Sequence, residues 1–108
     1  MKREDSSLCN SLDDIRENID KIDIELVNLI AKRSKFVFQA AQFKKSTTEV
    51  LAIDRVNAVI SKVKVLAQEA NLDPSITEKT YRAMIKAFTE QELNTYNSLY
   101  KEMKQSYY

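Results

Sequence analysis

The sequence has no glycine and only one proline among its 108 residues, and this absence limits the possible folds more than any other feature. Glycine most readily adopts the left-handed backbone of tight hairpin turns, and proline presets the first position of many turns. A sheet fold needs such turns repeatedly, whereas long helices need few of them. The composition therefore predicts an all-α chain.

A first helix is predicted over about residues 12 to 44, because apolar side chains recur there at alternating steps of four and three residues. Ser11 can cap its first turn, and Asp13 and Asp14 favour the positive helix end. Such a helix would be about 50 Å long, which exceeds the roughly 30 Å width of a small domain. Its apolar face needs a further cover, so we predict an intertwined homodimer of the same chain. The face consists of Ile15, Ile19, Ile22, Leu26, Leu29, Phe36, Ala40 and Phe43.

Two further helices, over about residues 52 to 70 and 74 to 102, complete a three-helix chain. Asp73 is a good cap for the last helix, and Pro74 suits its first position. We treat residues 1–108 as one domain in which residues 1–10 and 103–108 are frayed. The predicted apolar faces are Ile53, Val56, Ile60, Val63 and Ala67 on the second helix, and Tyr81, Met84, Ile85, Phe88, Tyr96 and Leu99 on the third.

The composition also excludes several kinds of function. The 17 basic and 16 acidic residues give a net charge of +1, which argues against a surface for nucleic acid. Because the chain has no histidine and Cys9 is its single cysteine, histidine-assisted nucleophilic catalysis and metal sites of these residues are excluded. We therefore expect neither a metal nor a cofactor.

The chain also carries no signal for a membrane. No apolar run approaches the roughly 20 residues that span a bilayer, and the amino terminus lacks the apolar segment of a signal peptide. We place the protein in the cytoplasm and expect no membrane partner.

A cation interrupts the apolar face of the first helix at Arg33, and Lys44 follows eleven residues later on nearly the same side. Buried cations are costly unless an anion meets them. Without a protein counter-ion, both could point into one cavity and hold a small ligand with two carboxylates. From the pattern alone we favour a plainer interpretation, in which Arg33 reaches solvent or pairs with an acid and Lys44 decorates the helix end.

Two other polar residues fall where a site could form. Arg16 lies seventeen residues before Arg33, too far along the axis to serve the same pocket within one chain, although an antiparallel partner could bring it there. Glu92 continues the apolar face of the third helix, and its neighbour Gln91 is the alternative inward residue. On spacing alone, we favour a solvent-facing Glu92.

The runs LDDIRENIDKIDIELVNLIAKR, FKKS and AIDRV resemble the all-α chorismate mutase family, and most closely its isochorismate pyruvate lyase branch, over about residues 12 to 95. The resemblance implies the type II chorismate mutase fold, an interlocked dimer of three-helix chains. It implies that Arg16 of the partner chain and Arg33 hold the two substrate carboxylates, while Lys44 donates to the ether oxygen. Arg55 would help to close a mobile loop over residues 45 to 54. Glu92 falls at the position of a family amide that donates to the same oxygen.

Two departures from the family pattern favour the lyase over the mutase. Typical mutases have a carboxylate three residues before the loop arginine and a glutamate just after it, whereas this chain has Ala52 and Val56. Glu92 could donate only when protonated, and the sequence leaves its protonation state open. Chorismate mutase activity is the alternative function. A non-catalytic helical dimer that binds an aromatic acid is the second alternative, and the pathway served is also left open.

Overall fold

A computed structural model of the chain describes residues 10–105, with the side chains of residues 47, 48, 96 and 98–105 outside that description. Within this part, all regular structure is helical: α1 (Leu12–Ala41), α2 (Thr47–Leu51), α3 (Ile53–Glu69) and α4 (Pro74–Gln105). The predictions of an all-α chain and of three long helices are confirmed. The predicted fraying of residues 1–9 and 106–108 lies outside the described residues.

Two predicted helix ends and one predicted loop differ from the structure. The first helix ends at Ala41 rather than near residue 44, because the chain tightens there: the amide of Phe43 donates to the carbonyl of Ala40 at 3.1 Å. The predicted loop over residues 45 to 54 contains the short helix α2. The last helix continues to Gln105, three residues past its predicted end.

The first helix, α1, begins at the cap that the sequence predicted. The amide of Asp14 donates to Ser11 Oγ at 3.1 Å, and the carboxylate of Asp14 accepts from the amide of Asn10 at 3.3 Å. The first bond satisfies an amide that the helix leaves free at its first turn, and the second holds the residue that precedes the cap. A short polar sequence therefore fixes where a thirty-residue helix begins.

The side chains of α1 are notable for their exposure, since none of them is buried within the chain. Apolar residues of the predicted face, such as Ile19, Leu29 and Phe36, are half exposed or more. A second apolar strip, which contains Ile24, Val27 and Ala31, lies roughly 170° around the helix from the first. Ile24 and Val27 are 64% and 63% exposed. This helix thus presents apolar surface on two sides.

The chain divides into two compact units, the first ending at Val37 and the second beginning at Phe38. In the second unit, α2 and α3 both pack against α4. Its buried apolar residues include the predicted Ile60, Val63 and Ala67, together with Val50, which the sequence reasoning did not place in the core. Ile53 was predicted on the same face but is 66% exposed, because it is the first residue of α3.

The connection from α3 to α4 turns sharply without glycine. Asn71 adopts the left-handed conformation with φ 58°, and the amide of Leu72 donates back to the carbonyl of Ala67 at 2.9 Å. These are the features of a Schellman helix end, in which asparagine tolerates the backbone that glycine usually occupies. Asp73 then caps α4 as predicted, since its Oδ1 accepts from the amide of Ser75 at 2.9 Å.

Candidate functional site

The centre of the candidate site is an ion pair between two residues that the sequence analysis singled out. Lys44 Nζ donates to Glu92 Oε2 at 3.0 Å, and the two side chains are only 24% and 13% exposed. Lys44 stands in the short segment after α1, and its amide donates to the carbonyl of Ala41 at 3.1 Å. Forty-eight residues separate the partners in sequence, so the packing of the second unit brings them together.

The pair corrects three expectations. Glu92 does not face solvent as spacing favoured; its neighbour Gln91 is the exposed residue of the two. Lys44 does more than decorate a helix end. Its ammonium also has a counter-ion within its own chain, whereas the alternative of a ligand-holding cavity assumed that Lys44 has none. The structure selects Glu92 because α4 turns this side chain, and not Gln91, toward the segment that carries Lys44.

An ammonium group has three N–H donors, and the hydrogen bond to Glu92 uses one of them. A partly buried ammonium that already has one carboxylate partner can still donate to a second oxygen. Removing Glu92 would leave this cation partly desolvated without its acceptor, which is costlier than losing a surface pair. The arrangement can therefore hold a positive donor in one place and present it to an acceptor atom.

Sequence reasoning missed the segment that follows Lys44. Ser46 Oγ accepts from the amide of Glu49 at 3.2 Å, and the carboxylate of Glu49 accepts from the amide of Lys45. The signal was present, because Ser-Thr-Thr-Glu over residues 46–49 matches the pattern of a capping box. This box starts α2, and Val50 anchors the helix in the core with 4% of its surface exposed.

Arg55 and the two residues that departed from the family pattern lie at the start of α3. Ala52 takes the left-handed conformation, with φ 42° and ψ 53°, and gives no side-chain cap to the helix. Arg55 is exposed in the first turn, whereas Val56 is partly buried. Neither Ala52 nor Val56 can supply a carboxylate beside Arg55. Neither side chain therefore has an atom that could accept a hydrogen bond from a hydroxyl group.

Arg16 and Arg33 belong to the first unit, where both lie on α1. Seventeen residues of helix separate them by about 25 Å along the axis. Arg16 is exposed and Arg33 is partly buried. One small dicarboxylate cannot bridge two guanidinium groups of the same helix at that separation, as the sequence analysis anticipated.

Other charged groups of the described chain form a surface cluster on α3 and α4. Glu78 accepts from Arg82 Nε at 2.9 Å and pairs with Lys64 at 3.5 Å. The hydrogen bond from Arg82 lowers the pKa of Glu78 below its ordinary value, with help from Lys64. Among the side chains that the structure describes, no group of three or more acidic, histidine or cysteine residues could hold a metal. No helix in the described part of the chain is both long and apolar enough to cross a membrane.

Two comparisons with known proteins bear on this site. The sequence model of the family described as chorismate mutase type II matches residues 15–93, a range that includes every candidate site residue. A curated protein, the isochorismate pyruvate lyase of Pseudomonas aeruginosa, is 32% identical to the chain over 85 residues. The aligned part covers 79% of this chain and 84% of that protein. Both findings agree with the resemblance read from the sequence.

Proposed function

The chain belongs to the chorismate mutase type II family, and we propose that it acts as an isochorismate pyruvate lyase. The similarity to a protein known as an isochorismate pyruvate lyase supports this choice. The observation that carries it is the surroundings of Arg55, where Ala52 and Val56 stand in place of carboxylates. A mutase of the resembled type binds the chorismate hydroxyl with a glutamate at the second of these positions. An apolar side chain there gives that hydroxyl no acceptor.

The proposed reaction needs no nucleophile. A ring hydrogen moves to the methylene carbon of the enolpyruvyl group while the ether bond between the ring and oxygen breaks. The ring becomes aromatic salicylate, and the released fragment becomes pyruvate, so all atoms are accounted for. The protein must hold a flexible dianion in its reactive shape and stabilise the negative charge that gathers on the ether oxygen.

In this proposal Lys44 is the catalytic donor to the ether oxygen. Its contact with Glu92 fixes the ammonium group and leaves donors for the substrate. Glu92 then acts as a positioning residue through Lys44, which replaces the earlier idea that it must itself donate in protonated form. Arg33 and, from a partner chain, Arg16 hold the two substrate carboxylates, and Arg55 helps to close the site.

We further propose that the working unit is a homodimer. The exposed apolar strips of α1 support this, because full burial of each large side chain yields roughly 1.5–3 kcal/mol. The separation of Arg16 from Arg33 along α1 supports it independently, since only a second chain could bring a residue 16 next to residue 33. The site would then be shared between two copies.

The decisive experiment offers isochorismate and chorismate separately to the purified protein. We expect salicylate and pyruvate from isochorismate, at a kcat/KM well above that for prephenate formation from chorismate. Faster formation of prephenate would make the protein a mutase. Binding of either compound without any product would support the non-catalytic dimer instead.

A further inference from the structure

We propose that Ser46 and Glu49 are positioning residues that hold Lys44 in register with Glu92; the catalytic part of this role rests on the proposed function. Lys44 and Lys45 lie outside regular helix, so their backbone needs support from elsewhere. On one side, the amide of Lys44 bonds to the last residue of α1. The capping box supplies the other side.

The box ties the backbone next to Lys44 to α2 through two bonds. The amide of Lys45 donates to the carboxylate of Glu49, and the amide of Glu49 donates to Ser46 Oγ. The carbonyl of Ser46 also accepts the first helical bond, from the amide of Val50 at 3.1 Å. The residue after Lys44 is thus bonded directly to the short helix.

That helix is in turn fixed to the element that carries Glu92. Val50 is 4% exposed, and α2 packs against α4. Ala52 then turns the chain into α3 through its left-handed conformation, and its carbonyl accepts from the amide of Val56 at 3.0 Å. Lys44 and Glu92 are therefore connected by a continuous set of bonds and packing contacts within the second unit.

The inference predicts a specific loss when the box is broken. Ser46→Ala should lower kcat by about fivefold, because losing a typical cap shifts the balance from the ordered to the disordered segment by about that factor and a disordered segment misplaces Lys44. KM should change little, because the donor acts in the transition state. Glu49→Ala should behave alike. Ser46→Thr keeps a hydroxyl acceptor and should retain the wild-type kcat.

Asp73→Ala is the matched control, since it removes the cap of α4 and leaves the segment around Lys44 intact. It should lower stability without lowering the kcat of the folded protein. Equal kcat losses in Ser46→Ala and Asp73→Ala would reduce the role of Ser46 to general stability and overturn the inference.

A second measurement does not depend on turnover. A double-mutant cycle of Lys44→Ala and Glu92→Ala reports the coupling of the pair as a ratio of unfolding equilibrium constants. We expect that ratio to approach one when the cycle is repeated in Ser46→Ala. An unchanged ratio would overturn the inference even in an active enzyme. If the wild-type protein converted neither substrate, the proposed function would fail while this cycle still decided whether the box positions Lys44.

Discussion

At the scale of single residues, the contact between Lys44 and Glu92 changes the role that we infer for each side chain. A cation met by a carboxylate at 3.0 Å is held in one orientation, and its remaining donors point elsewhere. Electrostatic stabilisation of a transition state depends on donors that are in place before the charge develops. The pair gives Lys44 that property without any ligand.

Lys44→Ala should reduce turnover of isochorismate by about 10² to 10³, the loss seen when one donor to a developing oxyanion is removed. The measurement is kcat under saturating substrate. Lys62→Ala, which removes an exposed lysine of α3, serves as the control and should match the wild type. Wild-type kcat in Lys44→Ala would remove this residue from the mechanism.

Glu92→Gln should retain most of the activity, whereas Glu92→Leu should lose it. The amide oxygen of glutamine can still accept from Lys44, and its NH₂ group adds a donor for the ether oxygen. Leucine has similar bulk but leaves the ammonium without its acceptor. Steady-state kinetics of the two variants check this. Equal activity in both would show that the contact with Glu92 does not serve catalysis.

At the scale of elements, the helix ends explain which predictions succeeded. The caps at Ser11 and Asp73 act on neighbouring amides, so local sequence predicted them. The apolar spacing likewise predicted the buried face of α3. The short helix α2 was missed because residues 45 to 54 were expected to form a mobile loop, although the capping box over residues 46–49 was present in the sequence. The contact between Lys44 and Glu92 could not be predicted, since it depends on how distant elements pack.

The cap of α4 should make stability depend on pH in acid. The amide and side chain of Ser75 bond to Asp73 and lower its pKa below the ordinary value of 3.8. Because the pKa of Asp73 is lower in the folded protein than in the unfolded chain, its carboxylate stabilises the fold at pH values above the unfolded-state pKa. This stability is lost as the pH falls through the folded-state pKa. In Asp73→Asn, the urea concentration at the unfolding midpoint should therefore depend less on pH than in the wild type below about pH 4. Parallel curves for the two proteins would contradict the cap's role.

At the scale of the whole molecule, the exposed apolar surface of α1 bears most directly on how the protein assembles. Apolar strips on two sides of one helix call for two covering surfaces, and none of its side chains is buried by its own chain. Ile22 and Val27 represent the two strips, and both are exposed. In the proposed homodimer, a second copy whose own long helix has the same strips would be a self-complementary partner. Sequence predicted the excess length of this helix and the need to cover its first apolar face, but the second strip, which contains Ile24 and Val27, was not predicted.

The shared site can be tested by mixing two inactive variants. Arg16→Ala and Lys44→Ala should each abolish most turnover. After joint unfolding and refolding, however, mixed dimers would contain one site with an intact Lys44 from one chain and an intact Arg16 from the other. Random pairing makes about half of the dimers mixed, each with one working site of two, so about a quarter of wild-type activity should return.

Mixing Arg16→Ala with Arg16→Ala,Lys44→Ala is the control and should restore nothing. If the first mixture also stayed inactive, both residues would have to act within a single chain, and the separation along α1 would then exclude Arg16 from the site.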